Sequence, residues 1–181
     1  MKIAVATASD LDFICSNFPK IRPLPAAIGD QCTMTSESML SLLKSKSNPL
    51  YQLWQFAVAT VDSGPVGFIQ TLDFRILKEH LSYCNLLGIY DVRPEVLEFR
   101  DNLRVINSIY VEDGNRMNGI GRSLMRSQKD RYRDRMGILY SEHNNENIKF
   151  YYSCGFSEYY RGAKTSYKRQ EIFLMLDGQF S

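Results

Sequence analysis

Apolar residues in this chain recur first with the period of a strand, then with that of a helix, and the two patterns exchange several times over 181 residues. Ile3 to Thr7 alternates as a strand does, and Ser9 with Asp12 forms a capping signal for a helix over Leu11 to Phe18. Pro19, Pro23 and Pro25 then interrupt regularity. Thr35 or Ser36 caps a second helix, which carries Met39, Leu40, Leu42 and Leu43 and is stopped by Asn48-Pro49. Trp54 to Val61 and Val66 to Phe74, rich in aromatic and β-branched residues, predict an antiparallel hairpin around Asp62-Ser63-Gly64-Pro65.

Residues 75 to 102 are less regular, with weak helical spacing over Ile76 to Tyr83, then Gly88, Pro94 and the charges Glu98, Arg100 and Asp101. An insertion is expected there, and a connection of that length in a compact domain is often functional. Val105 to Val111 reads as the central strand, Gly121 to Met136 as a long helix and Ile138 to His143 as the next strand, which together make a right-handed parallel crossover. A short helix over Glu146 to Ser153 follows. Phe156 to Tyr160 and Glu171 to Leu176 then close the chain as a hairpin around Arg161-Gly162-Ala163-Lys164. The predicted order is β-α-α-β-β-β-α-β-α-β-β, in one α/β domain spanning residues 1 to 181.

Composition narrows the function classes. With 44% hydrophobic and 23% charged residues the chain suits one globular domain with a substantial core. A net charge of +2 gives no argument for nucleic acid as partner. Cys15, Cys32, Cys84 and Cys154 lack metal-ligand spacing and His80 and His143 are the only histidines, so no metal is expected and the cysteines read as small hydrophobes or free thiols. No stretch approaches the roughly 20 apolar residues of a membrane span, and a cytoplasmic location without membrane attachment is expected.

The chemistry concentrates at Arg116-Met117-Asn118-Gly119-Ile120-Gly121, between the central strand and the long helix. A glycine-containing turn that opens a helix aims unpaired N–H groups at one point, where anions bind. Three nucleotide-binding patterns compete for it. Gly114 to Gly119 has Walker A glycine spacing, but Ile120 and Gly121 stand where Lys and Ser/Thr are needed. A dinucleotide fingerprint beginning at Gly119 and Gly121 would need glycine where Leu124 stands. What remains is [RQ]-x-x-G-x-[GA], matched by Arg116, Gly119 and Gly121. A second element lies downstream: Asn144 precedes Phe150-Tyr151-Tyr152-Ser153-Cys154-Gly155-Phe156, which reads F-Y-x-x-x-G-F. On these two elements the chain resembles the GNAT family of acetyl-CoA-dependent N-acetyltransferases. Asn147 departs from the family pattern, which has a small apolar residue there.

The resemblance implies a GNAT-type α/β fold, a mixed sheet of about seven strands flanked by helices with an insertion between strands 3 and 4. It also implies acetyl-CoA as co-substrate and a primary amine as acceptor, attacked directly in a ternary complex. Pyrophosphate would meet the backbone from Met117 through Arg122, with Arg116, Asn118, Gly119, Ile120 and Gly121 in the same clamp and Asn144 and Tyr151 beyond it. A bulged central strand would offer the backbone of Ile109, Tyr110 and Val111 to the pantetheine arm and thioester. An ordinary buried strand needs the same side chains, so that point stays open in the sequence. Tyr151 would be the general acid: a phenol of pKa about 10 keeps its proton at neutral pH and can yield it to a developing thiolate of pKa about 8.5. The general base is unassigned, with Glu142, Glu98 and Asp73 as weak candidates. Residues 75 to 102 would act as an acceptor-site lid. A small-molecule amine and a peptide or protein amine both remain open as acceptor, as do a homodimer, another acyl group, and a catalytically silent CoA-binding or partner-binding module.

Overall fold

The chain runs through β1 (Lys2–Val5), α1 (Leu11–Ile21), α2 (Ser36–Lys44), β2 (Phe56–Val61), β3 (Gly64–Asp73), β4 (Arg104–Val111), α3 (Ile120–Tyr132), β5 (Met136–Ser141), α4 (Asn145–Ser153), β6 (Phe156–Arg161) and β7 (Glu171–Leu176). A computed structural model describes residues 1–21, 35–45, 48–76, 78–79, 103–133, 136–141, 145–161 and 171–176. The strands form one mixed seven-stranded sheet in the order β1-β2-β3-β4-β5-β7-β6. Both the α/β class and the element order are those expected. β2 and β3 make the antiparallel hairpin, with Val61 opposite Gly64 across Asp62-Ser63, and β4 lies parallel to β5 with Val105 opposite Gly137. Of the expected insertion, residues 75, 76, 78 and 79 are described and helical; the rest lies outside the described residues.

Several boundaries differ from expectation for local reasons. The first cap forms at Thr7 rather than Ser9: the Thr7 amide donates to the Asp10 carboxylate at 2.8 Å. α1 continues through Pro19 to Ile21. Pro19 lies in its last turns, so the missing N–H costs a single bond, toward Cys15, while Ile14, Cys15 and Phe18 stay buried on one face. Thr35 does cap α2, its hydroxyl accepting from the Ser38 amide at 3.1 Å, but the helix ends at Lys44, before Asn48-Pro49. α3 stops at Tyr132 and not at Met136, because Arg133 takes a left-handed φ of 49° and turns the chain toward β5.

The described residues fall into two compact units, Met1–Thr71 with Asn107–Gln128 and Leu72–Ile106 with Lys129–Ser181. In the first, α1 and α2 cover one face of the strands with a core of Phe18, Met39, Phe56, Val58, Phe68 and Tyr110. Phe68 stacks on Phe18 at 6.2 Å and on Tyr110 at 5.5 Å. Each such buried aromatic contributes roughly 1.5–3 kcal/mol. α3 covers the other face, where Leu124 is fully buried and the Thr71 hydroxyl donates to Gln128 Oε1 at 3.2 Å. In the second unit Phe74 packs on Phe173 at 6.2 Å, and Tyr151 of α4 meets Phe156 of β6 at 6.5 Å.

Gly67 marks a close approach of two backbones: a Cβ there would lie 2.7 Å from the Tyr110 carbonyl oxygen. Gly67→Ala is expected to destabilise the fold by about 1–3 kcal/mol. Thermal denaturation checks this, and an unchanged melting temperature would contradict it.

No described helix is long and apolar enough to cross a membrane.

Candidate functional site

β4 delivers the chain to the glycine-containing loop. The Glu112 amide donates to the Val66 carbonyl at 2.9 Å, and a single 3₁₀ turn, Asp113–Asn115, follows. Arg116 then folds back on its own loop, its Nε donating to the Val111 carbonyl at 3.1 Å and Nη2 meeting the Asp113 carboxylate at 2.7 Å. Met117 is fully exposed at φ 64°, and Gly119 has φ 75°. A non-glycine residue in that region costs roughly 1–2 kcal/mol. The first bond of α3 runs from the Ser123 amide to the Gly119 carbonyl at 3.0 Å. Hence the amides of Ile120, Gly121 and Arg122 precede any intrahelical acceptor. The first turn of α3 contains no acidic residue, so its positive end keeps its full field. A Cβ at Gly119 would meet no protein atom within 4 Å, so glycine serves the backbone there and leaves the space beside it open.

Upstream, β4 holds one residue more than β3 requires. The Glu112 amide bonds to the Val66 carbonyl at 2.9 Å, and the Phe74 amide to the Leu103 carbonyl at 2.9 Å. Between those bonds β4 advances nine residues and β3 eight, whereas a regular antiparallel ladder needs equal counts. The extra residue sits at Asn107-Ser108, since both side chains reach Gln70: Asn107 Nδ2 donates to Gln70 Oε1 at 2.6 Å, and Ser108 Oγ approaches the same atom at 3.4 Å. Neighbours on a regular strand point to opposite faces; two opposite one residue define a bulge. Beyond it Ser108 and Tyr110 are buried while Ile109 and Val111 are half-buried. The Tyr110 ring is enclosed by Phe13 and Phe68, and burial, with Glu112 and Asp113 adding and Arg116 opposing, pushes its phenol above the ordinary value.

α4 ends as its sequence predicts. Gly155, at φ 84°, closes it with its amide donating to the Tyr152 carbonyl at 3.0 Å. Tyr151 is buried at 8% exposure against Phe150, ring centroids 5.4 Å apart, while neighbouring Tyr152 is exposed.

Among the weak base candidates, Asp73 is committed elsewhere. Its Oδ1 accepts from the Arg75 amide at 3.0 Å and Nε at 3.2 Å, and its Oδ2 faces Arg75 Nη2 at 3.2 Å and Arg104 Nη1 at 3.4 Å. Burial alone would raise its pKa; the hydrogen bonds from Arg75 and the charges of Arg104 and Arg75 outweigh that and hold it below the usual carboxylate value. A carboxylate so held is a poor proton acceptor. Because the folded pKa is lowered, the stabilisation is full above the ordinary carboxylate range and is lost as pH falls through the folded value. Asp73→Asn should therefore cost about 1–2 kcal/mol near neutral pH, discounted for the exposed Arg75, and progressively less toward about pH 2. Urea unfolding at both pH values checks this; an equal loss at both would contradict it. Glu98, Glu142 and Asn144 lie outside the described residues. Among the described residues no group of three or more His, Cys, Asp or Glu could hold a metal ion.

The sequence model of the acetyltransferase (GNAT) domain matches residues 52–158, a span that contains the loop, the bulge and α4. The chain belongs to the GNAT acetyltransferase family. No curated protein sequence matches it. Among solved structures it is similar to an N-acetyltransferase from Staphylococcus aureus Mu50, at 15% identity and a TM-score of 0.67 over 97% of this chain and 100% of that one. It is also similar to the ribosomal-protein-S18-alanine N-acetyltransferase of Escherichia coli, at 14% identity and 0.59 over 99% and 97%. Ard1 from Thermoplasma volcanium is a third, at 17% identity and 0.57 over 97% of each chain. At those identities the likeness is one of fold, and it covers nearly the whole of each chain.

Within this GNAT domain the structure gathers Arg116 through Arg122 at the start of α3, immediately after the strand carrying Ile109, Tyr110 and Val111. Gln70 and Gln55 were not anticipated. Gln70 stands with Thr71 inside the otherwise apolar run Val66 to Leu72, and a carboxamide among core residues was the only available signal.

Proposed function

We propose that this GNAT domain transfers acetyl from acetyl-CoA to a primary amine by direct attack in a ternary complex. The observation that carries this reading is the start of α3, where successive unpaired amides, no first-turn acid and an open Gly119 suit a pyrophosphate. In the reaction the amine nitrogen bonds to the thioester carbon, the C–S bond breaks, and the thiolate leaves with the electron pair. Backbone amides loosened by the Asn107-Ser108 bulge are suited to polarising the carbonyl oxygen. Tyr151 supplies the thiolate proton, since a phenol, with an ordinary pKa of about 10, still carries its proton at neutral pH and can yield it as negative charge develops on sulfur. The proton that the nitrogen sheds after bonding to the carbonyl carbon goes to solvent or to a carboxylate other than Asp73, whose arginine partners oppose protonation.

Calorimetric titration with acetyl-CoA tests the clamp: saturable binding at one site per chain is expected, and no binding at millimolar ligand would sink the reading. A second reading is a silent CoA-binding module. It is favoured by the absence of any acidic residue from β4, Arg104–Val111. Binding without turnover across a panel of small amines and peptides would select it.

A further inference from the structure

We propose that Gln70 is a positioning residue, whose buried carboxamide fixes the bulge of β4 and ties it to the segment leading into β2. The proposal rests on the acetyl-transfer reading only for its kinetic consequence. Gln70 is 0% exposed, and both ends of its carboxamide are engaged: Oε1 accepts from Asn107 and Ser108, while Nε2 donates to the Leu50 carbonyl at 2.7 Å. Gln55, 2% exposed, stands beside it at 3.5 Å, donates to the Pro49 carbonyl at 2.7 Å and accepts from the Gln52 amide at 2.9 Å. Gln52 Nε2 in turn donates to the Asn48 carbonyl at 2.6 Å. Three glutamines thus donate to the consecutive carbonyls of Asn48, Pro49 and Leu50, the first of which also accepts from the Tyr51 amide at 3.4 Å.

The bulge needs such an anchor. Without an opposing side chain that engages both Asn107 and Ser108, β4 could slip one residue and restore an even ladder on one side of the bulge. That slip would send Tyr110 to the opposite face, out of its 5.5 Å stack on Phe68. Only a side chain with an acceptor for two donors and a donor for the Leu50 carbonyl fits all three partners, and glutamine has both. Leucine at 70 removes every bond. A protonated glutamate reproduces them, with C=O accepting and O–H donating, whereas ionised glutamate cannot donate to Leu50.

The test uses Gln70→Leu and Gln70→Glu in the full chain. Gln70→Leu should unfold cooperatively and lose less acetyl-CoA affinity than kcat. Its amides over residues 107–110 should exchange at least tenfold faster, with β1 unaffected, and kcat should fall at least tenfold. For Gln70→Glu, the ratio of variant to parent kcat should be near one at low pH and decline as pH rises and the carboxyl ionises. Parent-like exchange over 107–110, an unchanged kcat, or equal losses of kcat and acetyl-CoA affinity in Gln70→Leu would each overturn the proposal. If Gln70→Leu does not fold, a pH-independent ratio for Gln70→Glu overturns it, and a declining ratio upholds it. A parent that transfers no acetyl group defeats the acetyl-transfer reading, and amide exchange alone then decides the role of Gln70.

Discussion

Gly119→Val should weaken acetyl-CoA binding at least 100-fold, roughly 2.8 kcal/mol at 1.4 kcal/mol per tenfold, while the protein still unfolds cooperatively. Two effects combine. The new side chain would project into space that no protein atom occupies within 4 Å, directly beside the start of α3. It would also place a β-branched residue at φ 75°, a conformation costing roughly 1–2 kcal/mol, which the loop would relieve by moving those amides. Gly114 provides the control. A Cβ there would likewise meet nothing within 4 Å, but Gly114 lies on the 3₁₀ turn before the helix, and Gly114→Ala should bind acetyl-CoA as the parent does. Calorimetric titration of both variants decides the matter. Parent-like affinity in Gly119→Val would remove the loop from the clamp.

Tyr151→Phe should lower kcat by about 100-fold, the low end of what a positioned general acid contributes. Acetyl-CoA affinity should move less than threefold, because phenylalanine keeps the ring contacts with Phe150 at 5.4 Å and Phe156 at 6.5 Å. The loss should shrink with thioesters of more acidic thiols, whose thiolates leave without protonation. Steady-state kinetics with two acyl donors measures both effects. A deficit that ignores the leaving thiol would mean that the hydroxyl serves the fold and not the reaction.

Much of this arrangement is legible along the chain, for a physical reason in each case. Runs of aromatic and β-branched residues need no distant partner to be recognised, so β2 and β4 show themselves; Ile120, Leu124 and Met125 mark the inner face of α3 by their helical spacing. Gly119 and Gly155 stand where positive φ is required, and both adopt it. Other features depend on partners far along the chain. A bulge at Asn107-Ser108 uses the same residue types as a regular strand and becomes visible only when both side chains meet Gln70. Asp73 reads as an available carboxylate until Arg104 arrives from the neighbouring strand. Pro19 reads as a helix stop, yet burial of Phe18 and its neighbours carries α1 past it. What stays visible in sequence is the glycine-containing loop; the shape of the strand beside it is a tertiary result.

The most direct measurement of the central claim is amine-dependent release of free CoA thiol by the purified protein, supplied with acetyl-CoA and a panel of small primary amines and peptides. Thiol release that requires one class of amine, matches acetylated product mole for mole, and falls in Tyr151→Phe is the predicted result. Saturable acetyl-CoA binding with no amine-dependent release across the panel would contradict it.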